Sequence, residues 1–181
     1  MKVIVFTGLP WAGKSEAVAV AKHMDIPVVR MGDMVWAETK KQGLELNESN
    51  VGTIADKLRK EQGMDIWARK TLEKIKGIEN LNANILVIDG VRNYEEVETF
   101  RKLLGDDLLV VAIHVSDEIR HKRAIERNRK DDSKDLSKIK ARDNRERSWG
   151  LNKVIASADI LIENDGSLEE LQKKVQQVFC S

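Results

Sequence analysis

Eight residues near the start of the 181-residue chain have the types and spacing for phosphate chemistry: Gly8, Leu9, Pro10, Trp11, Ala12, Gly13, Lys14 and Ser15. They spell G-x-x-x-x-G-K-S, the phosphate-loop pattern. Gly8 and Gly13 carry no Cβ, so the backbone can turn tightly and approach a ligand. Successive N–H groups then form a concave nest for phosphate oxygens. A helix opening at the end of the loop adds its unpaired N–H groups and the positive end of its dipole. Lys14 is a compact cation that can reach β- and γ-phosphates. The Ser15 hydroxyl suits Mg2+. The nucleotide-contacting run is therefore expected to cover Gly8 to Ser15 and to include Glu16. Trp11 reads equally as an aromatic beside the ligand or as packing.

Asp89 ends the apolar run Ile85-Leu86-Val87-Ile88. A carboxylate at the end of a buried strand can hold Mg2+ directly or through water, so Ser15 and Asp89 are the expected metal pair. Further on, Arg123 and Arg127 are four apart and share a helix face. Two guanidiniums on one face near a phosphate site suit a ligand better than solvent. Arg120, Lys122 and Lys130 are expected on a solvated face. His114 and His121 have no metal-ligand spacing and are expected to pack or to lie at the surface.

These groups need a scaffold. Solid apolar runs mark strands at 3–6, 28–30, 85–89, 109–115 and 159–163, buried on both faces as in a parallel sheet. Helical periodicity fills about 14–24 and 94–104, and a last helix follows Ser167, a good N-cap. Alternating strands and helices give an α/β fold. The strand-free intervals 33–77 and 117–149 read as helical insertions, places where function often resides.

Bulk properties narrow the classes. The length fits one domain spanning residues 1–181. Basic and acidic residues nearly cancel at a formal charge of +1. Charge alone thus gives no argument for nucleic acid or membrane surfaces. Cys180 is the single cysteine, excluding an internal disulfide. No apolar run approaches the roughly 20 residues of a membrane span. With a strand at the start and no signal-peptide pattern, the expected compartment is the cytoplasm.

Several short motifs, in order, resemble the nucleoside monophosphate kinase and dephospho-CoA kinase group. Asp89-Gly90-Val91-Arg92 resembles D-G-x-P-R without its proline, and Met31-Gly32-Asp33-Met34 resembles the G-D-M of the acceptor region. Arg123-Ala124-Ile125-Glu126-Arg127 is similar to the R-x-x-x-R that opens the lid. Arg129-Lys130-Asp131-Asp132 followed by Arg142 is similar to the lid's later R-x-D-D…R. The stretch from Ala158 to Ser167 resembles the last strand and adenine-side loop of dephospho-CoA kinases, which implies a nucleotide contact at Asn164. As a whole the chain resembles an archaeal P-loop family related to these kinases.

The resemblance implies a P-loop NTPase fold with a five-stranded parallel sheet of order 2-3-1-4-5. It implies an acceptor-binding helical insertion at 33–77 and a lid at 127–142. It also implies ATP as phosphoryl donor with Mg2+, and Lys14, Arg123, Arg127, Arg129 and Arg142 as the cations of the transfer. Arg59 and Arg92 are the candidates for gripping an anionic acceptor, and Asp33 for positioning an acceptor hydroxyl or base. The short stretch after Asp33 departs from the group: Trp36 stands three residues on, and no arginine lies there. Trp36 and Trp67 therefore read as a different acceptor pocket or as the insertion's core, with packing the first expectation.

The leading expectation is a small-molecule kinase acting on a nucleotide or related phosphorylated metabolite. Dephospho-CoA kinase activity is one rival. An ATP-binding switch or ATPase working with a protein or RNA is the other, although nucleic acid is not an expected partner. Asp89-Gly90-Val91-Arg92 lacks the D-x-x-G of a GTPase switch, and Asn152-Lys153-Val154-Ile155 lacks a guanine-reading aspartate.

Overall fold

A computed structural model describes residues 1–78, 83–126 and 135–181. Five parallel strands form one sheet in the order β2-β3-β1-β4-β5. They are β1 (Lys2–Thr7), β2 (Val28–Arg30), β3 (Ile85–Asp89), β4 (Leu108–His114) and β5 (Ile160–Glu163). The expected strands are all present, with ends shifted by one residue at β1, β4 and β5. The helices are α1 (Lys14–His23), α2 (Met31–Lys41), α3 (Glu48–Gln62), α4 (Ile66–Lys76), α5 (Tyr94–Leu104), α6 (Asp117–Glu126), α7 (Leu136–Ser148), α8 (Leu151–Ala156) and α9 (Leu168–Cys180). No described helix is long and apolar enough to cross a membrane.

The apolar strand runs follow from burial on two faces. Successive side chains of a strand point to opposite sides. Val3 and Val5 of β1 enter one core, while Ile4 and Phe6 enter the other. Helices α2 to α5 and α8 cover the first face, with Leu58, Trp67, Phe100 and Leu151 among the buried side chains. Helices α1 and α9 cover the second, where Phe6 meets Phe179 edge-on at 5.9 Å. Ser167 caps α9 as expected, accepting from the Glu170 N–H in a reciprocal capping box.

Interval 33–77 is helical, holding most of α2 and all of α3 and α4. Of the expected lid, residues 127–134 lie outside the described residues, and 135–142 lead into and form the first half of α7. All five strands run the same way, so their C-terminal ends share one edge of the sheet. Ligands of open α/β sheets bind at that edge.

Candidate phosphotransfer site

The loop from Gly8 to Gly13 leaves β1 at this edge and enters α1. Two of its conformations exclude a side chain. At Gly8 (φ 141°) a Cβ would lie 2.3 Å from the Ile113 carbonyl oxygen of β4. At Gly13 (φ 113°) it would lie 2.4 Å from Asn164 Nδ2. Trp11 holds a left-handed φ of 60°, rare for a large side chain. Leu9 and Ala12 turn their side chains into the two cores, so only their backbone faces the loop's concavity. Lys14 Nζ donates to the carbonyls of Gly8 (2.5 Å) and Leu9 (2.9 Å). Burial first, then the charge of Arg92, lowers the Lys14 pKa to about 7; Glu146 and Asp89 pull the other way.

Two side chains from distant elements bond this loop, and a third backs one of them. Asn164, just after β5, donates from Nδ2 to the Ala12 carbonyl at 2.8 Å. Arg123 of α6 donates to the Asn164 carbonyl at 3.0 Å. Arg120 of α6 donates from Nη1 to the Pro10 carbonyl at 3.0 Å. Arg120 corrects the sequence reading, which put it on a solvated face. It is fully buried and forks onto Asp143 of α7 at 2.9 and 2.8 Å. Such a fork offsets the loss of hydration that a lone buried guanidinium would suffer. His121 joins the same carboxylate at 2.8 Å. Lys122 is exposed as expected. Arg127, Arg129 and Lys130 lie outside the described residues.

A cavity of about 980 Å3 opens from the loop toward α2, α3 and α7. Lys14, Ser15, Glu16, Asp89, Arg123 and Asn164 line its loop side. Asp89 sits at the end of β3, paired in register with Phe6 and Arg30. Its carboxylate lies 3.6 Å from Arg30 Nε. Trp11 and Arg142 stack at 5.1 Å from guanidinium carbon to ring centre, and the buried Trp11 Nε1 has no hydrogen-bond partner among the described residues.

The far side of the cavity carries Arg59, Arg92, Arg145, Glu146, Trp36 and Trp149. Arg59 is 4% exposed, donates to the buried Glu96 at 2.9 Å and stacks on Trp149 at 4.2 Å. Glu96 also accepts from the Arg92 backbone N–H at 2.7 Å. Glu146 is 4% exposed, with Arg92 Nε at 3.3 Å and Arg142 Nε at 3.4 Å. Burial opposes its ionisation, but Arg92, Arg142 and Lys14 outweigh that and hold its carboxyl below the usual range. Trp67 is core, 1% exposed with its indole N–H on the Ala55 carbonyl. Trp36 is 42% exposed at the cavity, under Arg30. Asp33, in the first turn of α2, is not among the lining residues.

Sequence reasoning missed Glu146, Arg145, Trp149 and the Arg120–Asp143 pair. One signal was available. Arg142, Glu146 and Trp149 follow the i, i+4, i+7 spacing of a single helix face, and that face of α7 meets the cavity.

A family model described as an AAA domain matches residues 7–140. A UPF0200 protein of Methanosarcina barkeri is 42% identical over 181 residues, covering 100% of this chain and 96% of that one. The chain belongs to the AAA-domain family, among the UPF0200 proteins. A UPF0200 protein of Thermoplasma volcanium is 42% identical over 177 residues, covering 98% of this chain and 96% of its own. The UPF0200/UPF0201 protein of Archaeoglobus fulgidus is also 42% identical, but this chain spans only 55% of its length.

Among solved structures, similar folds occur in TT1252 from Thermus thermophilus (TM-score 0.65, 20% identity, covering 99% and 96% of the two chains) and in a gluconokinase from Sinorhizobium meliloti (0.57, 14%, 99% and 91%). A shikimate kinase from Aquifex aeolicus is a third (0.53, 20%, 98% and 95%). The UPF0200 fold seen here is thus a P-loop kinase-like fold with the 2-3-1-4-5 sheet.

Proposed function

We propose that the protein is an ATP- and Mg2+-dependent kinase that transfers a γ-phosphoryl group to a small anionic metabolite. One observation carries this reading. A single cavity joins the phosphate loop, with Lys14, Ser15 and Asp89, to a second set of guanidiniums on Arg59, Arg92 and Arg145. A nucleotide switch needs the first set; the second suits an acceptor.

The chain's residues fit the donor. The N–H groups of Lys14 and Ser15 open α1, where a helix leaves donors without an intrahelical acceptor, and would be offered to phosphate oxygens. Lys14, now on two loop carbonyls, can turn to phosphate oxygens, and the unpartnered Trp11 N–H offers a further donor. Arg123 and Asn164 frame the side where the nucleoside would lie. Mg2+ would be held by Ser15 and Asp89 with the phosphates, and would supply neutralisation of developing charge. Mg2+ commonly uses only one or two protein ligands. Arg142, with Arg127 and Arg129, is assigned to the transferring group. Phosphoryl transfer needs mainly such positioning and charge stabilisation. Arg59 and Arg92 are assigned to the acceptor's oxyanion.

The nucleotide half is tested by titrating wild-type protein and Lys14→Ala with Mg2+ and a non-hydrolysable ATP analogue. Wild type is expected to bind and the variant to lose most of that affinity. Equal binding by both sinks the assignment of Lys14.

A further inference from the structure

The far wall of the cavity is under-bonded in a specific way. Four buried guanidinium nitrogens have no hydrogen-bond partner there among the described residues: Arg59 Nε and Nη1, Arg92 Nη1 and Arg145 Nε. Among them lies one buried acceptor in the same condition, Glu146 Oε2. Arg92 Nε is 3.3 Å from that oxygen but outside hydrogen-bond geometry, and the Arg142 contact to Oε1 is long at 3.4 Å. Nearby, Arg120 makes two fork contacts to Asp143 of 2.9 and 2.8 Å and leaves only its Nε without a partner among the described residues. Buried polar groups are normally bonded, and those left over at a cavity wall point to a ligand. Gly52 shapes the same wall. A Cβ at Gly52 would meet the Arg145 guanidinium at 2.9 to 3.2 Å, so this glycine lets α7 bring Arg145 against α3.

Donors alone would fit any oxyanion. The orphaned carboxylate oxygen asks for something more: a neutral donor on the ligand, placed beside its anionic end. Building on the kinase reading above, we propose that the acceptor is a small hydroxyl-bearing oxyanion, and that Glu146 is the residue receiving the hydroxyl that is phosphorylated. The oxyanion lies on Arg59, Arg92 and Arg145, and the hydroxyl donates to Glu146 Oε2. Asp33, the carboxylate expected for this role from sequence, does not line the cavity, whereas Glu146 does. In the transfer, a bond forms between the hydroxyl oxygen and the γ-phosphorus. The bond from that phosphorus to the β–γ bridging oxygen breaks, leaving its electron pair on ADP. The hydroxyl proton passes to Glu146 and then to solvent. The product is a phosphate ester rather than a phosphoanhydride.

Two matched pairs of probes test this: glycerol 1-phosphate against n-propyl phosphate, and glycerate against propionate. Each pair keeps the oxyanion and removes the hydroxyls. Binding is measured by calorimetry to wild type, Glu146→Gln and Arg59→Lys, each with Mg2+ and a non-hydrolysable ATP analogue. In at least one pair the hydroxylated member is expected to bind wild type about tenfold tighter or more, because a site built to bond a hydroxyl rejects the analogue lacking it. The responding pair tells phosphate from carboxylate. Glu146→Gln is expected to lose most of that preference, and Arg59→Lys to weaken both members alike while keeping it. Equal affinity within both pairs, no binding of any probe, or a preference unchanged in Glu146→Gln overturns the inference. If the ATP analogue binds while the probes behave in one of those ways, the inference falls alone. If the analogue itself fails to bind, the kinase reading falls.

Discussion

Arg120 Nη1 donates to the Pro10 carbonyl at 3.0 Å, tying α6 to the middle of the phosphate loop across 110 positions of sequence. The same guanidinium forks onto Asp143, so α7 is fixed to the loop through one buried ion pair. The loop that would cradle phosphate and the helix bearing Arg142 and Glu146 are therefore tied together through Arg120. Replacing Arg120 by Ala leaves Asp143 buried without its main counter-charge, which costs about 3–5 kcal/mol. Urea unfolding at neutral pH is expected to show a loss of that size, and ATP-analogue affinity should fall with it. A variant within about 1 kcal/mol of wild type would contradict the anchoring role.

Lys14 gives a pH signature. Its pKa is lowered from 10.5 to about 7 by burial and then by Arg92. Between those values the unfolded chain binds a proton that the folded protein does not, so this group makes stability rise with pH across the window. Phosphate oxygens around Lys14 would return its pKa toward the ordinary value. Nucleotide binding at pH 8 is then accompanied by proton uptake. Calorimetry of the ATP analogue in two buffers of different ionisation enthalpy should give different observed heats, in the direction of uptake. Identical heats argue against Lys14 as the phosphate ligand.

Asp89→Asn separates metal binding from folding. Among the described residues Asp89 has one ion pair, to a half-exposed Arg30 at 3.6 Å, so its loss should move stability by less than about 1 kcal/mol. The Mg2+ concentration for half-maximal binding of the ATP analogue should rise about tenfold or more, as when groups that support a bound metal are removed. An unchanged Mg2+ requirement removes Asp89 from the metal site.

Gly13→Ala strikes the loop's backbone. The left-handed φ of 113° disfavours a side chain, and the new Cβ would push Asn164 from the Ala12 carbonyl. A destabilisation of about 1–3 kcal/mol is expected, together with loss of ATP-analogue affinity. A variant that melts with wild type and binds normally shows that the loop tolerates a shift here.

The sheet and the loop were legible in sequence because each carries a strong local signal. Strands buried on two faces read as unbroken apolar runs, and G-x-x-x-x-G-K-S needs its strand before and helix after. The place of Asp89 at a strand end was legible for the same reason, since it closes such a run. The far side of the cavity was not. Arg120 and Asp143 are 23 positions apart in a stretch dense with charge, where a buried pair looks like any two surface residues. Glu146 was hidden in the same way, although its spacing from Arg142 and Trp149 was visible. Trp36 and Trp67 could not be told apart by type. Only packing separates the exposed ring of Trp36 from the enclosed one of Trp67.

The proposed kinase differs from a nucleotide switch in transferring phosphate at this cavity rather than merely holding a nucleotide there. The most direct measurement incubates the full chain with Mg2+, γ-labelled ATP and a pool of small hydroxy acids, sugar phosphates and nucleotides. Labelled products are separated, with Lys14→Ala as control. Label is expected to leave ATP and appear on one acceptor as a phosphate ester, with none formed by the variant. Release of inorganic phosphate alone, unaffected by every acceptor in the pool, would contradict it.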